Sequence, residues 1–227
     1  MPKIKKIKAR EIIDSRGNPT VECDIYLSNE VFGRAAVPSG ASTGMHEAIE
    51  LRDQDKNRYG GKGVLKALSN ITEIISPKIL NKEFKNIKDF DEFLIATDGT
   101  KNKSNLGANA TLALSLAFAK SLASYEKKNL FHYLSNSDQY IMPVPMMNII
   151  NGGSHADNKV DIQEFMIAPV GASSFRESIR YGAEIFHSLK SKLKEKGLNT
   201  NVGDEGGFAP NINSSNDVIE IIIQAVI

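Results

Sequence analysis

Asn151-Gly152-Gly153-Ser154-His155-Ala156-Asp157, followed closely by Gln163-Glu164-Phe165-Met166-Ile167, sets a histidine, an amide and a carboxylate around paired glycines beside a short apolar run. Paired glycines let the backbone take positive φ and let another group come close. Polar residues crowded against a Val/Ile/Met-rich run are what a site at the end of a buried strand requires. Gly203-Asp204-Glu205-Gly206-Gly207-Phe208-Ala209-Pro210 repeats the design further on, with two adjacent carboxylates before two glycines. Two such segments in one chain point to acid–base chemistry.

Around these segments, Val144 to Ile150 and Gln163 to Ala168 read as short buried strands. Ser173 to Glu195 reads as a long helix, with Ser173 or Ser174 as N-cap and Gly197 as the stop. Val202 opens another short element, and strands alternating with helices predict an α/β architecture. Upstream, residues 3–38 read as a three-stranded meander: Ile4 to Ile13, a turn at Asp14 to Pro19, Thr20 to Leu27, a tight turn, and Val31 to Val37. The loop Pro38-Ser39-Gly40-Ala41-Ser42-Thr43-Gly44 is rich in small residues and is expected to move. Helical patterns follow near residues 62–75, 89–96, 107–127 and 130–135. Strands then helices predict an α+β domain over residues 1–138, and the pattern changes near Asn136 to Gln139 into the α/β part, 139–227. A last helix starts at Ser214, Ser215 and Asp217. Its run Val218 to Ile227 is apolar apart from Glu220 and Gln224 and reaches Ile227 uncapped, which reads as interrupted.

Composition narrows the function classes. With 227 residues, 41% hydrophobic and 24% charged, the chain has the make-up of a soluble globular protein of one large domain or two small ones. A formal net charge of +1, with no long basic block, argues against a nucleic-acid binder. Cys23 is the only cysteine, so an intrachain disulfide or a Cys-rich metal site is excluded and a reducing cytoplasm fits. The basic start lacks the apolar stretch of a signal peptide. Leu106 to Ala119, the most apolar long segment, is too short to span a bilayer and reads as a buried helix.

Each candidate residue has a plain reading beside the chemical one. Glu205, flanked by Asp204, would be driven toward its protonated form by like charge and burial, the more so if it faces Glu164, and could then protonate a poor leaving group. Its plain reading is a solvated turn. His155 is either a substrate contact or an exposed loop histidine. Gln163 and Glu164 are adjacent on a strand and point to opposite faces, so they share a site only at the strand's end. Ser42 and Thr43 offer hydroxyls, which suit Mg²⁺ only where carboxylates or phosphate add charge. Neither Gly40 to Gly44 nor Gly60-Gly61-Lys62-Gly63 has the Gly-Lys-Ser/Thr ending of a Walker loop. Glu184-x-x-His187 is half of a di-iron helix motif and reads as packed or exposed.

Taken together, Ser15-Arg16-Gly17-Asn18-Pro19-Thr20, Ser39-Gly40-Ala41-Ser42-Thr43-Gly44, Asn151-Gly152-Gly153-Ser154-His155-Ala156, Gln163-Glu164-Phe165-Met166 and Gly203-Asp204-Glu205-Gly206-Gly207 resemble enolase, in its bacterial type, from residue 3 to the end. The resemblance implies an α+β capping domain followed by the first part of a TIM-type α/β barrel. It implies Mg²⁺-dependent, reversible dehydration of 2-phosphoglycerate to phosphoenolpyruvate. Carried over, Glu205 resembles the acid that protonates the departing C3 hydroxyl, Glu164 its partner carboxylate, His155 and Gln163 substrate contacts, and Ser42 the loop ligand of a Mg²⁺ ion. Removing a proton α to a carboxylate gathers charge on its oxygens, which divalent cations neutralise.

A complete barrel takes about 250 residues. The resemblance therefore implies a truncated barrel, with the family's lysine base, Mg²⁺ carboxylates and phosphate-holding residues beyond residue 227 and the 227-residue chain inactive alone. It also implies a homo-oligomer at full length, no nucleic-acid partner, a cytoplasmic location, and association with the cell surface or secretion. The rival from another class is a non-catalytic binding or structural protein using the capping domain. A sugar-acid dehydratase of the wider superfamily is the third reading; it would have no need of the Ser39 to Gly44 loop.

Overall fold

A computed structural model describes residues 2–40, 44–135, 137, 139–203 and 205–226. Strands β1 (Ile4–Ile13), β2 (Pro19–Leu27) and β3 (Phe32–Ala36) form an antiparallel sheet in the order β1-β2-β3. The first turn is set by Asp14, whose carboxylate accepts from the Arg16 and Asn18 amides at 2.9 Å each. Gly17 takes the positive φ of +77° that this turn needs.

Period-two alternation then sorts the side chains. Val21, Cys23 and Ile25 of β2, paired with Glu11, Ala9 and Ile7 of β1, belong to one face and are fully buried. Helix α4 (Ala108–Tyr125) packs on this sheet so closely that a Cβ at Gly33 of β3 would overlap Ala117 O and Ser121 N. Only glycine permits that approach. On the other face Lys8 and Arg34 flank Asp24 in register, and Arg10 pairs with Glu22.

Helices α1 (Leu65–Ser69) and α2 (Ser76–Ile79) are joined by a π turn, Asn70–Ile75, into one helical stretch. Helix α3 (Ile87–Asp98) is capped by Asn86, which accepts from the Asp89 amide at 2.9 Å, and ends at Gly99 with φ +71°. Phe90 and Phe118 meet at 4.3 Å between α3 and α4, with Phe84 edge-on to both. The short α5 (Leu130–Leu134) follows. Among the described residues no helix is long and apolar enough to cross a membrane.

The chain divides into two compact units, Met1–Asp138 and Gln139–Ile227. In the second, β4 (Met147–Asn151) and β5 (Glu164–Ile167) are followed by α6 (Phe175–Glu195) and α7 (Ser215–Val226). Ser174 caps α6 by accepting from the Glu177 amide, and Gly197 follows its end at φ +69°. Ser214 Oγ accepts from the Asp217 amide and donates to its carboxylate at 2.8 Å, starting α7. The core of this unit gathers Ile149, Ile150, Phe165, Ile167, Leu189, Leu193, Phe208, Val218 and Ile221.

The α/β expectation for this unit needs one correction. β4 and β5 are antiparallel and joined by a loop, with no crossover helix between them. The parallel relation appears one step later, after α6, where Phe208 bridges Ile150. A loop of this length reverses the chain without a helix, whereas a parallel return requires a crossover. The described residues do not by themselves close a barrel.

Candidate functional site

β4 ends at Asn151 and β5 begins at Glu164, opposite each other in register, so the loop between them stands at one end of the hairpin. Its fold follows from the glycines. The Gly152 amide donates to Gln163 O at 2.9 Å and the Gly153 amide to Val160 O at 2.6 Å. A Cβ at Gly152 would lie 2.8 Å from Val160 O, and Gly153 has φ +53°. The short turn Gly153–His155 that results folds the histidine back inside, leaving it 7% exposed.

His155 Nδ1 lies 3.6 Å from Glu164 Oε1, too far for a hydrogen bond, and both ring nitrogens are buried without a hydrogen-bond partner. Glu164 is half-buried as the first residue of β5. Gln163, just before the strand, is exposed and donates through Nε2 to Ser154 Oγ at 2.6 Å. Both neighbours thus stand at the start of β5.

The second glycine segment packs beside the first. The Gly203 amide donates to Gly207 O at 2.8 Å and the Gly206 amide to Gly203 O at 3.1 Å, with Gly206 at φ +82°. A Cβ at Gly203 would lie 2.5 Å from His155 O. Glu205 sits on the same turn, and it is exposed where a buried carboxyl was expected. Ser42, Thr43 and Asp204 lie outside the described residues. His187 is exposed, and Glu184 of the same helix accepts from Arg180 at 2.7 Å, so that motif forms no site.

Three asparagines with no role assigned from sequence belong here. Asn151, fully buried, accepts through Oδ1 from Asn148 Nδ2 at 3.1 Å, while its own Nδ2 has no partner. Its backbone oxygen accepts from Asn158 Nδ2 at 2.9 Å. Buried polar atoms are nearly always partnered, so orphans gathered at one strand end mark a place built for something besides stability. The signal was in the quoted Asn-Gly-Gly, where the amide is as unusual as the histidine.

The donor set for Mg²⁺ can be tested directly. That ion takes oxygens in octahedral geometry with carboxylates supplying charge. No group of three His, Cys, Asp or Glu comes together among the described residues. These residues do not make up a Mg²⁺ site.

Comparison with known families gives two matches. The family described as "Enolase, N-terminal domain" matches residues 4–134. The family described as "Enolase, C-terminal TIM barrel domain" matches residues 139–227.

Proposed function

Because the chain belongs to the enolase family, a lyase family, we propose that its reaction is the reversible dehydration of 2-phosphoglycerate to phosphoenolpyruvate. Glu205 gives its proton to the departing C3 hydroxyl, which leaves as water, and Glu164 is the partner carboxylate. His155 and Gln163 hold the substrate. The residue that takes the C2 proton is left unassigned. Mg²⁺ dependence comes with the family alone, since the described residues supply no donor set, and the chemistry proposed for this chain stays with its own side chains. The proposed compartment is the cytoplasm, on the ground of a single, buried cysteine.

One observation carries the reading. His155 is buried with two unmet ring nitrogens beside Glu164, against the turn that bears Glu205. Most buried side-chain nitrogens have a protein partner, and these two have none among the described residues. An exposed Glu205 suits a site that substrate enters from solvent, because catalytic contacts tighten on binding.

The test titrates 2-phosphoglycerate into the isotope-labelled chain and follows the His155 ring and the Gln163 side-chain amide by NMR. Both signals shift on binding and Glu205→Gln leaves that binding in place; in a chain carrying the family's whole barrel the same change lowers phosphoenolpyruvate formation about a hundredfold. No shift of either signal with 2-phosphoglycerate would overturn the reading. So would a response only to non-phosphorylated sugar acids.

A further inference from the structure

Both ends of the turn that carries Glu205 pack against one side chain, that of Asn151. Asn151 is fully buried at the end of β4. Its amide donates to Phe208 O at 2.9 Å, and the Phe208 amide donates back to Ile149 O at 2.9 Å, so the chain leaving the turn is stitched to the strand. The carboxamide then stands in the space between the turn's ends. A Cβ at Gly203 would lie 3.0 Å from Asn151 Cβ, and a Cβ at Gly207 would overlap Asn151 Oδ1. Asn148 fixes the plane of that amide through its 3.1 Å bond to Oδ1.

We propose that Asn151 is a positioning residue for Glu205, setting the place of the glycine turn and so of the carboxyl it bears relative to His155 and Glu164. The catalytic meaning of this rests on Glu205 as the acid; the hold on the turn does not. The turn's own bonds, from the Gly203 amide to Gly207 O and from the Gly206 amide to Gly203 O, close a loop whose flanking glycines allow it many other shapes. What selects one shape is the body lodged between Gly203 and Gly207. A buried Nδ2 with no partner costs stability. The side chain is therefore kept for where it stands, since a leucine of similar size would carry no unmet donor.

Residue-by-residue amide exchange on the 227-residue chain tests this without needing turnover. In Asn151→Ala the Gly203 and Gly206 amides exchange at least about tenfold faster, and the Glu205 amide signal moves. The α6 amides and the Gly152 amide, bonded to Gln163 O, keep their rates. Asn148→Ala, which only frees the amide plane, gives the same pattern at about threefold and decides the matter if the first variant does not fold. Turn amides that speed up only in step with α6 would mean a general structural role and overturn the proposal, as would unchanged turn amides. Glu205→Gln is scored separately, by turnover in a chain carrying the family's whole barrel. A loosened turn with an indifferent Glu205→Gln sinks the acid and leaves Asn151 holding the turn; a steady turn with a damaging Glu205→Gln does the reverse.

Discussion

Asp24 and His155 are both buried polar side chains, and the molecule treats them in opposite ways. Asp24, in the first unit, is fully enclosed and accepts from Arg34 Nε at 2.6 Å, from Arg34 Nη2 at 2.9 Å and from Arg10. Asp98 of the same unit, 2% exposed, accepts from the Leu106 amide at 2.7 Å, the Thr100 amide at 2.9 Å and the Thr100 hydroxyl. In the second unit His155, Asn151 and Asn148 each keep at least one buried atom without a partner. The first unit's exception among the described residues is Asp91 Oδ1. Polar burial in the first unit completes a structure. In the second it leaves buried polar atoms without a protein partner, which costs stability.

The comparison breaks most easily if the first unit's stability lies outside its closed networks and core. Phe118→Ala, which empties the space against Phe84 and Phe90, is expected to cost about 4 kcal/mol, read as a lower urea midpoint. Asp24→Ala removes the buried acceptor shared by Arg10 and Arg34, which keep only Glu22, and is expected to cost about 2 kcal/mol. A loss below about 1 kcal/mol would class that network with ordinary surface ion pairs and remove the contrast.

Acid sharpens the same point. Hydrogen bonds from Arg34, opposed by burial and joined by bonds from Arg10, hold the Asp24 carboxyl at about 2. A carboxyl whose folded value is depressed contributes stability that is complete above its unfolded value, about 3.9, and lost as pH falls through the folded one. The first unit should therefore weaken between about pH 4 and pH 2. Asp24→Asn, less stable at neutral pH, should flatten that part of the curve. A variant whose acid transition matches the parent would assign the loss to other carboxyls, such as Glu11, lowered by its bonds from Arg58.

How much of this was legible depends on the range of the interaction. The three strands of the first sheet, the Asp14 turn and the Ser174 cap rest on neighbours within a few residues, and the sequence pattern places them to within a residue or two. The family resemblance was legible because its motifs are long and ordered. The Asp24 network was hidden, since Arg10, Asp24 and Arg34 meet only once two strand registers are known. The antiparallel β4–β5 pair was hidden because a buried strand pattern carries no direction. Exposure of Glu205 was misjudged because an acid–glycine turn reads alike buried or solvated. Asn151 was quoted and given no task; its role needs Gly203 and Gly207 folded against it from fifty-odd residues away.

The smallest effect is the most telling for the second unit. If His155 is held for a ligand, removing its polarity relieves the fold of two unmet nitrogens and forfeits only the packing of the ring. Replacing a buried, unpartnered polar group by an apolar one of similar size is close to neutral or stabilising. His155→Leu should accordingly leave the urea midpoint within about 1 kcal/mol of the parent, on the stable side if it moves, while the 2-phosphoglycerate-induced shift of the Gln163 amide disappears. Glu164, 3.6 Å away, makes no hydrogen bond to the ring that the change could break. A loss of stability approaching that of Asp24→Ala would mean that His155 is an internal strut like the acids of the first unit. The division between a unit that closes its polar groups and one that holds them open would then fail at the residue on which it rests.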